Sequence, residues 1–465
     1  MESVDNITET IEQALPVPVR MDADERFTGR GVTIAFLDTG WWSQHATQTN
    51  TVGKNAVLQG YDAIGDKLGV GAPSDGYGHG THVLSIAANS AVDQTGKFIG
   101  MAPDASRVVV RAFDKKGIGS YATTIRGIDW ILKNAAQYKI RVVNMSFGAT
   151  PQSYYWDDPL AQAVMKLWQA GIVVVASAGN EGPVAQSIAV PGNVPYVITV
   201  GATTNSYTPD PSDDRLASFS STGPTYEGFV KPEVVAPGGH VIAVLQSSST
   251  LGKAHPSFLG TNGYLGSSYF YMSGTSMSAA VVSGAVALML QAQPYLTPDQ
   301  VKCKLMSSAR PAVTSVGALA YSVFQQGAGE INAYDAVFAP VADCANTGLD
   351  VDADLAGTTH FAGTADLDAD GNYFVSNGDA LEWWKRASDS GFVWDQGYPW
   401  SQGYSWSKGY PWSHGYSWSK GYAWSRGNSW SKSFTWSSSL PWDSGVGMSN
   451  ALTTPASINS WVENE

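Results

Sequence analysis

The chain has 465 residues, 43% of them hydrophobic and 14% charged, which is typical of a globular protein and excludes a largely disordered one. Its net charge of −13 repels nucleic acid and anionic membranes, so we expect no nucleic-acid partner. No apolar run reaches the roughly 20 residues that cross a bilayer, so no membrane span is predicted.

The N-terminal sequence MESVDNITETIEQALPVPVR lacks the basic block and the following apolar block of a secretory signal. We interpret the chain as an extracellular protein whose leader has been removed, and the alternative is a cytoplasmic protein. The two cysteines, Cys303 and Cys344, fit either location. They form one disulfide in an oxidising compartment or stay two buried thiols in a reducing one.

Five short and almost wholly apolar runs follow one another through the first three quarters of the chain. They are VTIAFL from Val32, RVVVRAF from Arg107, VVNMS from Val142, IVVVASA from Ile172 and YVITVGA from Tyr196. Such runs are typical of strands buried on both faces of a parallel sheet. Between them, TTIRGIDWILKNAAQY places Ile125, Ile128 and Ala135 on one helical stripe. The sequence predicts an α/β fold, a doubly wound and mostly parallel sheet flanked by helices.

The composition changes after residue 339, where Asp and Gly become frequent. We predict a small irregular or β-rich C-terminal segment there. The predicted division is an N-terminal extension (1–16), a main domain (17–339), an Asp/Gly-rich joint (340–390), a six-residue repeat (391–445) and a tail (446–465).

Three polar residues stand in glycine-bounded turns, where a parallel sheet exposes functional groups just beyond its strand ends. Asp38 ends IAFLDTG, His79 lies in DGYGHGTHV, and Ser276 in MSGTSM opens a long apolar helix. Singly, each has an ordinary structural role, such as a strand-end brace or a helix N-cap. His79 and His82, with Asp75 nearby, also fit the ligand spacing of a metal site.

Together, the three residue types are those that amide hydrolysis requires. A serine hydroxyl is too weak an acid to attack an amide unless an imidazole takes its proton. A buried carboxylate must then hold that imidazole in one tautomer. The chain order Asp38, His79, Ser276 is one of the known triad orders, which favours this hypothesis over three separate structural roles.

With the blocks DTG, HGTHV and SGTSM, the sequence resembles the subtilisin-like serine proteases. The resemblance covers residues 17–339 and includes NMSFG from Asn144, ASAGNEG from Ala176, SFSSTGP from Ser218 and KPEVVAPG from Lys231. It implies a serine endopeptidase that acts on protein or peptide substrates and whose chemistry needs no cofactor.

The resemblance also implies a role for each matching residue. Ser276 is the nucleophile, His79 the general base and then acid, and Asp38 the carboxylate that orients it. Asn180, in SAGN, corresponds to the side-chain donor that stabilises the oxyanion together with the backbone N–H of Ser276. His82 is implied to be structural and not a metal ligand.

In the family that the sequence resembles, an extended peptide adds as a strand beside residues 117–120 and 146–148. The predicted substrate-binding residues are Gly117, Gly119, Ser120, Ser146, Phe147, Gly148, Ala176, Ser177, Ala178, Gly179, Pro191 and Gly192. Small residues leave room in the primary pocket, which predicts broad specificity with an apolar side chain before the cleaved bond. For Pro191 and Gly192 an ordinary turn is the alternative.

Three departures from the family pattern stand out. Ala280 replaces a proline four residues beyond Ser276, and we expect the helix to be unaffected because proline is only tolerated so early in a helix. Thr47 stands where relatives supply a calcium carboxylate, which puts that calcium site in doubt. We expect Trp41 and Trp42 to cover the flank of the active site or to contact another part of the protein.

A candidate calcium loop lies in the predicted joint. DLDADGNYFVSN places Asp366, Asp368 and Asp370 at positions one, three and five of an EF-hand-type loop, but Asn377 stands where the bidentate acid belongs. A weak structural calcium site and an acidic β-turn are the two interpretations.

The repeat reads Trp-Ser-x-Gly-Tyr-x and runs from Trp394 to Trp442. Because its period is even, a strand would place all its tryptophans on one face. We favour packing of these rings among themselves or on the protease, helped by cation–π contacts. The alternative is that the aromatic face binds a polymer surface such as a polysaccharide.

Overall fold

The computed structural model describes residues 16–204, 214–262, 267–314, 319–369, 373–375 and 455–457. The helices are α1 (Val17–Arg20), α2 (His45–Gln48), α3 (His79–Ala88), α4 (Tyr121–Tyr138), α5 (Pro159–Gln169), α6 (Thr250–Ala254), α7 (Thr275–Ala292), α8 (Pro298–Ser308), α9 (Val323–Gln326), α10 (Ala333–Phe338) and α11 (Val351–Leu355). A 3₁₀ turn follows α6 at Pro256–Phe258.

The first ten strands are β1 (Thr33–Asp38), β2 (Val57–Asp62), β3 (Lys67–Leu68), β4 (Ser106–Arg111), β5 (Ile118–Ser120), β6 (Ile140–Met145), β7 (Val173–Ser177), β8 (Ile198–Thr204), β9 (Arg215–Leu216) and β10 (Val234–Pro237). The others are β11 (Val241–Val244), β12 (Leu259–Asn262), β13 (Ser267–Met272), β14 (Ala365–Leu367), β15 (Tyr373–Val375) and β16 (Pro455–Ser457).

The main sheet has the strand order β10-β8-β7-β6-β1-β4-β2-β3, with β9 added beside β8. All neighbours from β10 to β2 are parallel, and only the short strands β3 and β9 run antiparallel. Every residue of β1, β7 and β8 is buried, because helices cover both faces of the sheet. The five predicted strands and the predicted α/β fold are therefore confirmed.

Helix α7 packs against β6, β7 and β8 and against α3, while α4 packs on α5 and on β6. Of the described helices, α7 alone is long and apolar enough to cross a membrane, and 89% of that stretch is buried inside the protein. Its apolar surface is core surface. Ala280 is fully buried within this uninterrupted helix.

The strand order indicates which edge of the sheet is expected to bind a ligand. The chain builds β1, β2 and β4 on one side and then crosses to β6, β7 and β8 on the other, so that β1 and β6 become neighbours. Ligands of open parallel sheets bind at such a switch point, beyond the carboxyl ends of the strands. Asp38 at the end of β1 and Ser146 directly after β6 therefore lie at the same edge of the sheet.

The described part of the predicted joint packs on the main domain. Cys303 in α8 and Cys344 form a disulfide with their Cα atoms 5.2 Å apart, which decides between the two cysteine alternatives. Phe361 belongs to the main hydrophobic core. The folded unit thus continues well beyond residue 339. The repeat 391–445 and residues 1–15 of the predicted N-terminal extension lie outside the described residues.

Asp354 in α11 anchors this C-terminal segment. Its buried Oδ2 accepts hydrogen bonds from the hydroxyls of Tyr155 at 2.6 Å and Tyr196 at 3.0 Å. The carboxylate and burial together raise the pKa of both tyrosines, so the phenols stay protonated and donate. His360 Nδ1 lies 2.8 Å from the other carboxylate oxygen.

We predict that Asp354→Ala lowers the free energy of unfolding by about 3 kcal/mol, because two buried hydroxyls lose their acceptor. The matched control is Asp352→Ala in the same helix, at an exposed position, with an expected loss under about 1 kcal/mol. Urea unfolding in a Ser276→Ala background, which prevents self-digestion, measures both. Equal losses in the two variants would contradict the anchoring role.

Candidate active site

The carboxylate of Asp38 ends β1 and is fully buried. Its Oδ1 accepts the backbone N–H of Thr39 at 2.7 Å and lies 2.8 Å from Nδ1 of His79. His79 is itself 1% exposed. A carboxylate on Nδ1 keeps the proton on that nitrogen, so Nε2 is left as the basic atom of the ring.

Asp75 fixes the start of the helix that carries His79. It accepts the backbone N–H of Gly78 at 2.7 Å and that of Thr81 at 2.9 Å, which caps α3. The hydroxyl of Thr39 donates to Asp75 at 2.9 Å and accepts the N–H of Gly80 at 2.8 Å, joining the strand end to the helix start. Sequence reasoning considered Asp75 only as part of a metal site, although Asp side chains in glycine-containing turns commonly accept hydrogen bonds from the backbone a few residues on.

Ser276 is the second residue of α7, which packs directly against α3. Its hydroxyl donates to the backbone carbonyl of Ser146 at 3.2 Å. Nε2 of His79 has no hydrogen-bond partner among the described residues. The Ser276–His79 bond is therefore not formed in this state, and hydrogen bonds of unliganded catalytic sites commonly tighten only with substrate.

Three buried polar side chains fix α7 to the end of β6. Ser146 Oγ donates to the carbonyl of Ser276 at 2.9 Å and accepts from Asn144 Nδ2 at 2.9 Å. Ser283, two turns further along α7, donates to Asn144 Oδ1 at 2.9 Å. These contacts hold the backbone of the candidate nucleophile against the edge of the sheet.

Asn180 is oriented by the residue before Ser276. Its Oδ1 accepts the backbone N–H of Thr275 at 3.0 Å and the Thr275 hydroxyl at 2.9 Å, so its Nδ2 points the other way. A Cβ atom at Gly274 would lie 3.3 Å from that Nδ2. The backbone N–H of Ser276 is one of the first-turn donors that a helix leaves without an internal acceptor. The two groups can serve as paired oxyanion donors.

The predicted substrate-binding residues lie in three places. Gly119 and Ser120 are in β5 and Gly117 precedes it, whereas Ser146 to Gly148 follow β6. Ala176 and Ser177 end β7, and Ala178 and Gly179 follow it. Reciprocal backbone hydrogen bonds of 3.0 Å and 2.9 Å join Ala149 to Val190, the residue before Pro191 and Gly192. The segments after β6 and β7 are therefore held together.

The side chain of Phe147 points into the core. Its side chain is fully buried and lies against Phe113, with the ring centroids 4.9 Å apart. It packs in the core, so only its backbone is suited to contact a substrate. A backbone contact agrees with the predicted addition of a peptide strand beside residues 146–148.

The residues considered for metal binding have other partners. His82 is fully buried with Nε2 2.9 Å from the carbonyl of Phe270. Thr47 lies in a capping box of α2, with its hydroxyl 3.1 Å from the carbonyl of Gln44. No group of three His, Cys, Asp or Glu residues in the described ranges is arranged to hold a metal ion.

Asp366 lies in β14 and Asp368 follows it, in a hairpin that β15 completes. Asp370 lies outside the described residues. A hairpin fits the acidic-turn interpretation, and the calcium site stays a prediction.

Trp41 is buried and its Nε1 donates to the carbonyl of Val70 at 3.1 Å. The backbone N–H of Trp42 donates to the hydroxyl of Thr81 at 2.9 Å. The backbone of Trp42 thus lies beside α3, whereas the side chain of Trp41 contacts another part of the protein.

We predict that His82 makes stability fall between pH 6.5 and 3. Burial lowers its pKa to about 3, whereas the unfolded chain has an ordinary histidine pKa of about 6.5. Between these two pKa values the unfolded state binds one proton more than the folded state. The free energy of unfolding is therefore expected to fall by about 2 kcal/mol between pH 7 and pH 5.

The test compares pH profiles of urea unfolding for Ser276→Ala with and without His82→Gln. The double variant is expected to be less stable at pH 7 and to lack this part of the acid destabilisation. Parallel pH profiles would show that His82 does not cause it.

The comparisons with known proteins agree with this geometry. The model of the subtilase family (peptidase S8) matches residues 29–329, more than half of the chain. Serine protease AprX of Bacillus subtilis is 38% identical over 283 residues, which cover 60% of this chain and 61% of AprX. Subtilisin DY of Bacillus licheniformis is 32% identical over 308 residues, covering 66% of this chain and 90% of that protein.

Among solved structures, fervidolysin from Fervidobacterium pennivorans, described as a keratinolytic enzyme related to subtilisin, is similar with a TM-score of 0.51 and 25% identity. The match covers 68% of this chain and 44% of fervidolysin. This chain therefore spans less than two thirds of AprX and of fervidolysin. The family match, the α/β fold and the contact of His79 with Asp38 together show that this chain belongs to the subtilase family of serine proteases.

Proposed function

We propose that the chain is a serine endopeptidase that cleaves extended protein or peptide substrates through an acyl-enzyme intermediate. The observation that carries the proposal is the 2.8 Å contact between His79 Nδ1 and the buried Asp38 carboxylate, with Ser276 at the start of a neighbouring helix. Family membership supports the same reaction class.

In the first half of the reaction, His79 Nε2 takes the proton from Ser276 Oγ as that oxygen bonds to the substrate carbonyl carbon. The Ser276 N–H and the Asn180 amide donate to the resulting oxyanion. The imidazolium then gives its proton to the leaving amine as the C–N bond breaks. Asp38 remains a carboxylate and stabilises the imidazolium.

In the second half, water loses a proton to His79 Nε2 and bonds to the ester carbon. The same donors hold the second oxyanion. The ester bond breaks, Ser276 Oγ regains the proton, and the carboxylate product leaves. Apart from the substrate and this water, the proposed chemistry uses only groups of this chain, and structural calcium remains a separate prediction.

We propose broad specificity with an apolar preference before the cleaved bond. A substrate that adds to β5 is held by its backbone, which all peptides share. The small residues Ser146, Ala176 and Gly179 support a pocket with space for a side chain. The disulfide between Cys303 and Cys344 supports an extracellular location, because such bonds persist in oxidising compartments.

The deciding experiment measures hydrolysis of a denatured protein by the wild type and by Ser276→Ala. The wild type is expected to be active and the variant at least about a thousandfold slower, because the nucleophile is removed. Circular dichroism verifies that both are folded. Equal inactivity of two folded proteins would refute the peptidase proposal and favour a binding protein on an inactive protease fold.

Asn180→Asp tests the oxyanion role. Aspartate keeps an oxygen that accepts from Thr275 but replaces the donating amide, so kcat is expected to fall with little change in KM. The corresponding donor in subtilisin is worth about a hundredfold to a thousandfold, and we expect a similar loss here. A large rise in KM at constant kcat would instead indicate a role in binding the ground state.

Thr275 is expected to act as a positioning residue, since its hydroxyl holds Asn180 Oδ1 at 2.9 Å. Thr275→Val preserves shape but removes that donor, and we predict a fall in kcat of about tenfold at unchanged KM. Thr275→Ser restores the hydroxyl and is expected to restore most of the rate. If Thr275→Ser is as slow as Thr275→Val, restoring the hydroxyl does not restore the rate, and this result would contradict the positioning role.

A further inference from the structure

The edge strand expected to bind substrate already has a neighbour from the same chain. β16 (Pro455–Ser457) pairs antiparallel with β5 (Ile118–Ser120), with Ala456 opposite Gly119. Among the described strands, β16 is the only partner of β5. A segment some 330 residues later in the sequence thus occupies the edge at which an extended peptide would add.

Within β5, the backbone N–H and carbonyl of one residue are available to pair with a neighbouring strand. Ile118 uses both its backbone groups on Asp114, with its N–H donating to the carboxylate at 3.1 Å and its carbonyl accepting at 2.9 Å. The N–H of Ser120 donates to the hydroxyl of Thr123 at 3.0 Å. Gly119, between them, presents its N–H and carbonyl to the other side, as strand alternation requires.

The tail meets this position with Ala456. Pro455 has no N–H, so the hydrogen-bonded pair of the antiparallel ladder must be Ala456 with Gly119. A substrate strand would need the same two groups of Gly119. Tail and substrate therefore exclude each other at β5.

The direction in which β16 runs along β5 follows from the antiparallel pairing. Because the pairing is antiparallel, the tail runs from Ser120 toward Ile118 and hence toward Gly117. Gly117 lies against Tyr77, since a Cβ atom there would come within 2.9 Å of its ring. Tyr77 stands two residues before His79 in the sequence. The described strand thus runs along β5 in the direction of the residue that lies against Tyr77.

We propose that the Pro455–Ser457 strand is an intramolecular competitor of peptide substrates at β5. This inference rests on the proposed endopeptidase function. Tethering gives a segment an effective concentration on the order of millimolar. A tail whose free peptide binds with a Kd of about 0.3 mM would then raise the apparent KM about fourfold.

The kinetic test compares the full chain, a chain ending at residue 450, Ala456→Pro, and the matched control Ala456→Ser. The truncation and Ala456→Pro, which lacks the ladder N–H, are expected to lower the apparent KM for a short peptide substrate at least about threefold at unchanged kcat. Ala456→Ser keeps the N–H and is expected to behave as the full chain. Four equal KM values in active enzymes would overturn the inference and leave the peptidase function standing.

A binding test needs no turnover. In the Ser276→Ala background, a fluorescent peptide of residues 451–465 is expected to bind the chain ending at residue 450 and to bind the full chain at least about threefold more weakly, as measured by anisotropy. A scrambled peptide is the control. No binding to the truncated chain would overturn the inference.

Measuring the apparent KM at several enzyme concentrations tests whether the strand paired with β5 comes from the same chain or from a second copy. An intramolecular tail gives an apparent KM that does not depend on enzyme concentration, whereas a tail from a second copy gives a KM that rises with it. The second outcome would overturn the intramolecular assignment. Inactivity of all four folded forms would instead refute the proposed function itself.

Discussion

The buried carboxylate of Asp38 is the constraint on which the rest of the site depends. A charge removed from water is costly unless hydrogen bonds and an opposite charge compensate for it. The Thr39 N–H and His79 Nδ1 supply hydrogen bonds to Oδ1, whereas Oδ2 has no hydrogen-bond partner among the described residues. Holding His79 there requires α3 to begin at that residue, and Asp75 caps the helix start by accepting several donors. The geometry of the base thus follows from the need to satisfy two buried acids.

The second half of the site is held by the sheet. β1 and β6 are neighbours although β2, β4 and β5 lie between them in sequence, and this places Ser146 beside the end of β1. Ser146 and Asn144 then tie the start of α7 to that edge through fully buried hydrogen bonds. The backbone of Ser276, the proposed nucleophile, is fixed by contacts that do not involve its hydroxyl. The hydroxyl itself donates to the carbonyl of Ser146.

The strands and the contact of His79 with Asp38 could be predicted because their signals are local. A strand buried on both faces is an apolar run, and Asp38, His79 and Ser276 each lie in a recognisable turn. The packing of residues 340–369 could not be predicted, because it depends on distant partners. Asp354 accepts hydrogen bonds from tyrosines about 160 and 200 residues away in the sequence. The change in composition after residue 339 suggested a domain boundary, but the residues that follow pack on the main domain.

The contacts of Glu233 also could not be predicted, because one of its partners lies far away in the sequence. Its Oε1 lies 2.7 Å from Lys231 Nζ and 2.8 Å from Lys302 Nζ, all three being nearly fully buried. In the sequence, the KPE block gives no indication that its lysine shares a carboxylate with one from α8. Burial lowers the pKa of Lys231 to about 7, although the negative charge of Glu233 raises that pKa in part.

The disulfide of Cys303 has a consequence for how the protein can be divided. The family match ends at residue 329, yet the partner of Cys303 is Cys344, and Asp354 and Phe361 lie further on. A polypeptide cut at the end of the family match would carry an unpaired thiol and two phenols without their acceptor. The smallest unit that keeps its own covalent and polar partners therefore extends beyond the region by which its relatives are recognised.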